Sequence, residues 1–78
     1  MKNTTYSINW YDKETNKSTS VDLVDSTYKD WDETGEEITV ERSFDTIIEN
    51  AEYDTPDGEY FEIYDANDEC GNVLYRSR

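Results

Sequence analysis

The amino-acid sequence predicts an α+β domain: an antiparallel sheet of about five strands with one amphipathic helix packed on one face. Several segments alternate apolar and polar residues, which is the period of a half-buried strand. Only one segment of length shows helical periodicity of good quality. A single helix must bury its apolar stripe against another layer, so the strands are expected to form the sheet that covers it. We expect residues 1–78 to form one such domain.

The helix and the strand before it are predicted from residues 37–51. Ile38 and Val40 alternate with polar neighbours, as in a strand. The period then changes, and apolar residues recur at positions i, i+3, i+4 and i+7: Phe44, Ile47, Ile48 and Ala51. Ser43 precedes this stripe and is a suitable N-cap, while Asp45 in the first turn suits the positive end of the helix dipole.

Two strands joined by a polar turn are predicted before this segment. Residues 5–12 alternate around Ile8, and residues 19–23 place Val21 and Leu23 on the inner face of the sheet. Residues 24–37 are expected to form an extended arm that runs into a turn around Gly35.

Two further strands are predicted after the helix. Residues 55–58, Thr-Pro-Asp-Gly, form a turn because Pro fixes φ and Gly accepts a positive φ. Residues 59–65 place Phe61 and Ile63 on one face, and residues 72–76 return as the last strand. The apolar side chains expected in the core are Ile8, Val21, Leu23, Ile38, Val40, Phe44, Ile47, Ile48, Phe61, Ile63 and one face of residues 73–75.

The composition is that of a small, strongly acidic domain. Leu, Ile, Val and Phe number thirteen of 78 residues and the net charge is −13, which lies on the disordered side of the compositional boundary. Seven Tyr and two Trp supply apolar surface that favours folding. One cysteine, Cys70, predicts a free thiol. The sequence shows no signal peptide or membrane span, so we expect a cytoplasmic protein without membrane contact.

Catalytic and metal-binding chemistry is poorly supported. The chain has no His, the commonest general base, and Cys70 has no partner that would lower its pKa. Residues 65–71 resemble the start of an EF-hand loop, but Cys70 stands where Gly is needed and Arg76 where Glu is needed. We therefore predict a protein that is not an enzyme, with no catalytic residues, no metal site and no cofactor.

The acidic residues are the remaining functional signal. Seven bases against twenty acids exclude direct binding of nucleic acid. Asp45, Glu49 and Glu52 form a negative ridge on the helix, opposite its apolar stripe. Same-face acids two apart on a strand lie about 6.5–7 Å from each other, a spacing comparable with that of phosphates along one nucleic-acid strand. The predicted partner-binding residues are Asp30, Asp32, Glu33, Glu36, Glu37, Asp45, Glu49, Glu52, Tyr60, Glu62 and Tyr64.

In size, charge, lack of catalytic groups and compact α/β layout, the chain resembles the small acidic inhibitors that bacteriophages and mobile elements encode against host nucleic-acid enzymes. These include anti-CRISPR proteins, anti-restriction proteins and the uracil-DNA glycosylase inhibitor. The resemblance implies a non-enzymatic inhibitor, monomeric or homodimeric, that occupies the basic nucleic-acid groove of a host nuclease or Cas complex as an acidic mimic. Three alternatives remain: a merely solubilising acidic surface, a regulatory module that docks on transcription or replication proteins, and a self-associating structural protein.

Overall fold

A computed structural model of the protein describes residues 3–78 and contains one helix and six strands in that part of the chain. In chain order the elements are β1 (Thr5–Asp12), β2 (Ser18–Asp25), β3 (Thr27–Trp31), β4 (Glu37–Glu41), α1 (Phe44–Asp54), β5 (Glu59–Asp65) and β6 (Val73–Arg76). The predicted α+β class is confirmed. The turn before β5 is also confirmed, with Gly58 at φ 87°.

The strands form two sheets, which corrects the prediction of one sheet of about five strands. A four-stranded antiparallel sheet has the order β2-β1-β5-β6, and β3 pairs only with β4 in a separate two-stranded hairpin. Residues 24–37 contain the predicted extended segment and turn. They continue into β4, which pairs with β3 and is not part of the main sheet. Ser26 between β2 and β3 is the bend at which the chain leaves the main sheet.

Helix α1 packs on one face of the main sheet and completes a single core. The buried apolar side chains are Ile8, Trp10, Ile47, Ala51, Phe61 and Ile63. Phe44 and Ile48 are partly buried at its margin, as is Tyr6, whose ring meets that of Phe44 edge-on at 5.5 Å between centroids. The predicted N-cap is confirmed, because the backbone N–H of Thr46 donates to Ser43 Oγ at 3.2 Å.

The predicted inner face of β2 is wrong. Val21 and Leu23 are 59% and 64% exposed and lie on the face of the sheet opposite α1. The pairing of Ile8 with Asp22 places the even-numbered β2 residues on the helix side. A bulge between Trp10 and Tyr11 inserts a residue into the ladder near the connecting turn, and such an insertion reverses which face each side chain takes.

Ile38 and Val40 and one face of residues 73–75 were expected in the core, and most of these side chains lie outside it. Ile38 and Val40 belong to β4, which is not part of the main sheet that α1 covers. Ile38 is 40% exposed. Val73 and Leu74 on the edge strand β6 are exposed, whereas Tyr75 packs against Phe61 with 5.8 Å between ring centroids. Only one side chain of the last strand therefore extends the core.

The β3–β4 hairpin, called the arm below, gives the molecule an elongated shape. The extents are 50 × 29 × 17 Å and the radius of gyration is 14.5 Å, against about 11.5 Å for a compact domain of this length. The arm is fixed at its root by Ser26, which is buried. Its backbone N–H donates to the Thr4 carbonyl at 2.7 Å, and its carbonyl accepts from the Arg42 N–H at 2.7 Å.

Helix α1 has eleven residues. Within residues 3–78 no helix has the length and apolar character needed to cross a membrane.

Candidate functional site

The arm brings five of the predicted binding residues together at its outer end. They are all exposed and stand within an eight-residue stretch that contains no Lys or Arg: Asp30, Asp32, Glu33, Glu36 and Glu37. The stretch turns from β3 into β4, so the five carboxylates occupy a tip that is only two strands wide. The structure thus concentrates negative charge on a part of the molecule that stands away from the core.

Asp32 has a structural role in this tip. Its Oδ1 accepts from the backbone N–H groups of Thr34 and Glu36, both at 2.9 Å, and from the Thr34 hydroxyl at 2.7 Å. These hydrogen bonds, with that of the Thr34 hydroxyl the largest, lower the pKa of the Asp32 carboxyl. Gly35 completes the turn at φ 84°, a conformation that glycine adopts without strain. Hydrogen bonds among its own residues therefore define the turn at the tip.

An aromatic side chain lies among these acids. Trp31 is 65% exposed, and it pairs across the ladder with Glu37. Its backbone N–H donates to the Asp30 carboxylate at 2.8 Å. Lys29 on the same face of the arm is already engaged, with its Nζ 3.6 Å from a Glu37 carboxylate oxygen and 3.1 Å from the Thr39 hydroxyl. The tip therefore offers a large apolar ring within an acidic surface.

The other predicted binding residues lie on two different surfaces. Asp45, Glu49 and Glu52 are exposed on α1. Tyr60, Glu62 and Tyr64 lie on the opposite face of the main sheet, which α1 does not cover. A single flat partner surface cannot contact both of these sets at once, because the sheet separates them. The predicted site is thus three surfaces: the arm, the helix ridge and the open sheet face.

Glu62 is held within the open sheet face. Its side chain accepts from the Tyr64 hydroxyl at 2.8 Å and pairs with the Arg76 guanidinium. Burial disfavours the carboxylate, but these two partners outweigh it, so the pKa of Glu62 lies below its ordinary value. Burial and the neighbouring Tyr11 and Glu62 raise the pKa of Tyr64 above its ordinary value. Glu62 is thus an ionised carboxylate whose negative charge is balanced by Arg76.

Sequence patterns gave no indication of several residues that shape these surfaces. Tyr11 stacks on Tyr60 with 5.3 Å between ring centroids, and the Arg78 guanidinium lies 5.0 Å from the Tyr60 ring centroid. The contacts join residues far apart in the chain, so they depend on the order of strands in the sheet. The alternation of Tyr60 and Tyr64 with the buried Phe61 and Ile63 was the one available signal.

No three Cys, Asp or Glu side chains of residues 3–78 are arranged to hold a metal ion. Cys70 is an exposed free thiol in the turn before β6. The 65–71 loop uses its acids internally, since Asp68 accepts from the backbone N–H of Cys70 at 3.0 Å.

Comparisons of this chain with protein-family models, with curated proteins and with solved structures give no match. Its function is therefore inferred from the geometry and charge of its own surfaces.

Proposed function

We propose that this protein is a non-enzymatic inhibitor that occupies a basic nucleic-acid groove of a host nuclease or Cas complex, with the acidic arm in the position of the nucleic acid. The observation that carries the proposal is the arm itself. Five carboxylates, one of which (Glu37) is paired with Lys29, stand at the end of a narrow, protruding hairpin. The charge and size resemble those of the phage-encoded anti-defence proteins, including anti-CRISPR proteins.

The arm has the physical properties that such an insertion requires. A two-stranded ribbon is narrow, because its strand axes lie only about 4.8 Å apart, so it can enter a protein groove that is wide enough for nucleic acid. The turn held by Asp32 fixes the tip before binding, which reduces the entropy lost on association. Trp31 supplies an aromatic anchor of the kind that dominates binding energy once water is excluded.

The proposal predicts competition with nucleic acid. Proteins retained from a host lysate on the immobilised chain should be released by added DNA or RNA, which compete for the basic groove, and by salt, which screens the attraction between the charges. Retention that neither polynucleotide nor salt reduces would rule out mimicry.

Two matched pairs of charge reversals locate the contact. The arm variant combines Glu33→Lys with Glu36→Lys and leaves Asp32 intact, so the turn is preserved. The helix variant combines Glu49→Lys with Glu52→Lys and changes the net charge equally. If the arm enters the groove, the arm variant slows association with the captured target far more than the helix variant does. Equal effects of the two variants would contradict a specific role of the arm.

A second candidate function rests on the open sheet face. This face carries Tyr11, Tyr60 and Tyr64 together with the exposed Val21 and Leu23, and tyrosine-rich, charge-poor surfaces are typical of protein interfaces. A regulatory module that docks through this face would lose its partner on Tyr60→Ala or Leu23→Ser, mainly through a faster dissociation rate. It would be insensitive to the arm variant, which separates the two functions.

A further inference from the structure

A groove lies beside α1, at the margin of the core. The groove has a volume of about 600 Å³, within the range of natural binding sites. One wall is a stripe of α1 at positions i, i+3, i+4 and i+7: Ile47, Asn50, Ala51 and Asp54. Ile8 and Trp10 lie at its floor, and the helix-side residues of β2, Asp22 and Val24, line the other wall.

The groove exists because the helix is narrower than the sheet. Four strands place the outer strand axes about 14 Å apart, from three spacings of about 4.8 Å, whereas a helix with its side chains is about 10 Å across. Helix α1 lies over the central strands β1 and β5, whose Ile8, Phe61 and Ile63 it buries with Ile47. The helix-side surface of the edge strand β2, which carries Val24, has no second helix over it.

The charged groups around the groove favour a basic occupant. Asp22 stands on the β2 wall and Asp54 on the α1 wall, both exposed. The two cations of the groove, Lys29 and Arg42, lie together at its arm end, away from Asp22 and Asp54, and each already has a partner. Lys29 pairs with Glu37, and the Arg42 guanidinium lies 4.5 Å from the Tyr28 ring centroid and donates to the Asp25 carbonyl at 2.8 Å.

We propose that this groove binds a basic amphipathic helix of a partner protein, which lies beside α1 as the second helix on the sheet. Its apolar stripe covers Val24 and Tyr28, which line the groove and are not already buried, and its Lys or Arg side chains meet Asp22 and Asp54. A second copy of this chain is a poor occupant, since α1, the one helix of residues 3–78, carries acids on its outer surface: Asp45, Glu49 and Glu52. The groove is a docking surface distinct from the acidic arm.

The test uses a synthetic Leu/Lys peptide of about 15 residues, long enough to form a helix, with its leucines on one helical face. Two control peptides have the same composition, one scrambled to remove the apolar face and one interrupted by proline. Binding is followed by Trp10 fluorescence in a Trp31→Phe background, which leaves Trp10 as the only tryptophan. We expect saturable binding of the amphipathic peptide and much weaker binding of both controls.

Two double variants of equal charge change then locate the site. Asp22→Lys with Asp54→Lys should weaken binding about five- to tenfold, as expected for two exposed ion pairs, while Glu49→Lys with Glu52→Lys should leave it nearly unchanged. If the first double variant folds poorly, Asp54→Lys alone should also weaken peptide binding. A cation at this position, the helix C-terminus, is favourable for the fold.

Several outcomes would overturn the proposal. Equal binding of the scrambled peptide, or equal weakening by both double variants, would mean general charge attraction. Equal binding of the proline-containing peptide would mean an extended occupant, and no change in Trp10 fluorescence with any peptide would mean that the groove is not used.

Discussion

Substitution of Ile47 tests the placement of α1 most directly. This side chain is 1% exposed and packs against the sheet residues Ile8, Phe61 and Ile63. Shortening a fully buried isoleucine to alanine costs about 2–5 kcal/mol, from lost burial and the cavity that remains. The higher helix propensity of alanine offsets up to about 0.7 kcal/mol of this loss. The net loss for Ile47→Ala should therefore be about 2–4 kcal/mol.

A loss of that size is large for this chain. At roughly 0.05–0.15 kcal/mol per residue, a domain of this length has a free energy of unfolding of about 4–12 kcal/mol. A loss of 3 kcal/mol would lower the melting temperature by roughly 12–24 °C, since each kcal/mol shifts a domain of 60–100 residues by about 4–8 °C. Urea unfolding followed by circular dichroism gives the same quantity from the transition midpoint.

Two control variants make the test specific to the structure. Tyr53→Ala on the same helix, at a side chain that is 91% exposed, should change the free energy of unfolding by less than about 0.5 kcal/mol. Leu23→Ala should cost less than about 1 kcal/mol, because Leu23 lies on the open sheet face. If Leu23→Ala cost as much as Ile47→Ala, Leu23 would have to face α1, and the pairing of Ile8 with Asp22 would be wrong.

Three further predictions concern charge. Stability should fall as the pH drops below about 4.5. A carboxyl whose pKa is lowered on folding stabilises the protein above its unfolded pKa, and this stabilisation is lost when the carboxyl is protonated. Glu62→Gln should therefore cost about 1–2 kcal/mol at neutral pH and reduce the acid sensitivity seen in pH-dependent melts. Between pH 7 and pH 5, and on raising salt from about 0.05 to 0.5 M, the melting temperature should rise, since both treatments relieve the repulsion of a net charge of −13; a flat salt profile would contradict this. Asp32→Ala should speed amide hydrogen exchange in residues 27–41 and leave the exchange of β1 and β5 amides unchanged, because the hydrogen bonds of Asp32 lie within the arm.

The sequence predicted those elements whose signals are local. The N-cap of α1, its apolar stripe and the turn before β5 depend on residues within a few positions of one another, and all three are present. The same holds for the strand Glu59–Asp65, where Phe61 and Ile63 are buried and Tyr60 and Tyr64 lie on the other face. Local periodicity sufficed because each of these segments lies against the core on one face only.

The partition of strands into two sheets could not be predicted in this way. The alternation of Ile38 and Val40 looks the same in a central strand and in a free-standing hairpin. What decides the outcome is Ser26, whose buried backbone bonds to Thr4 and Arg42 end β2 and begin the arm. The face of β2 was missed for a related reason, since one bulge residue reverses an alternation that is otherwise correct.

The arm and the main sheet depend on different interactions, so the shape of the arm is separable from the stability of the domain. The core residues Ile47 and Phe61 make no contribution to the tip, whose shape is set by Asp32, Gly35 and the β3–β4 ladder. A two-stranded hairpin without a covering layer is only marginally stable in water. Its order therefore depends on local turn chemistry, and the loss of a single carboxylate there weakens the arm while the domain stays folded. For an inhibitor that inserts its arm, pre-organisation of the tip contributes to affinity directly, so changes at Asp32 affect binding before they affect the fold, and changes at Ile47 do the reverse.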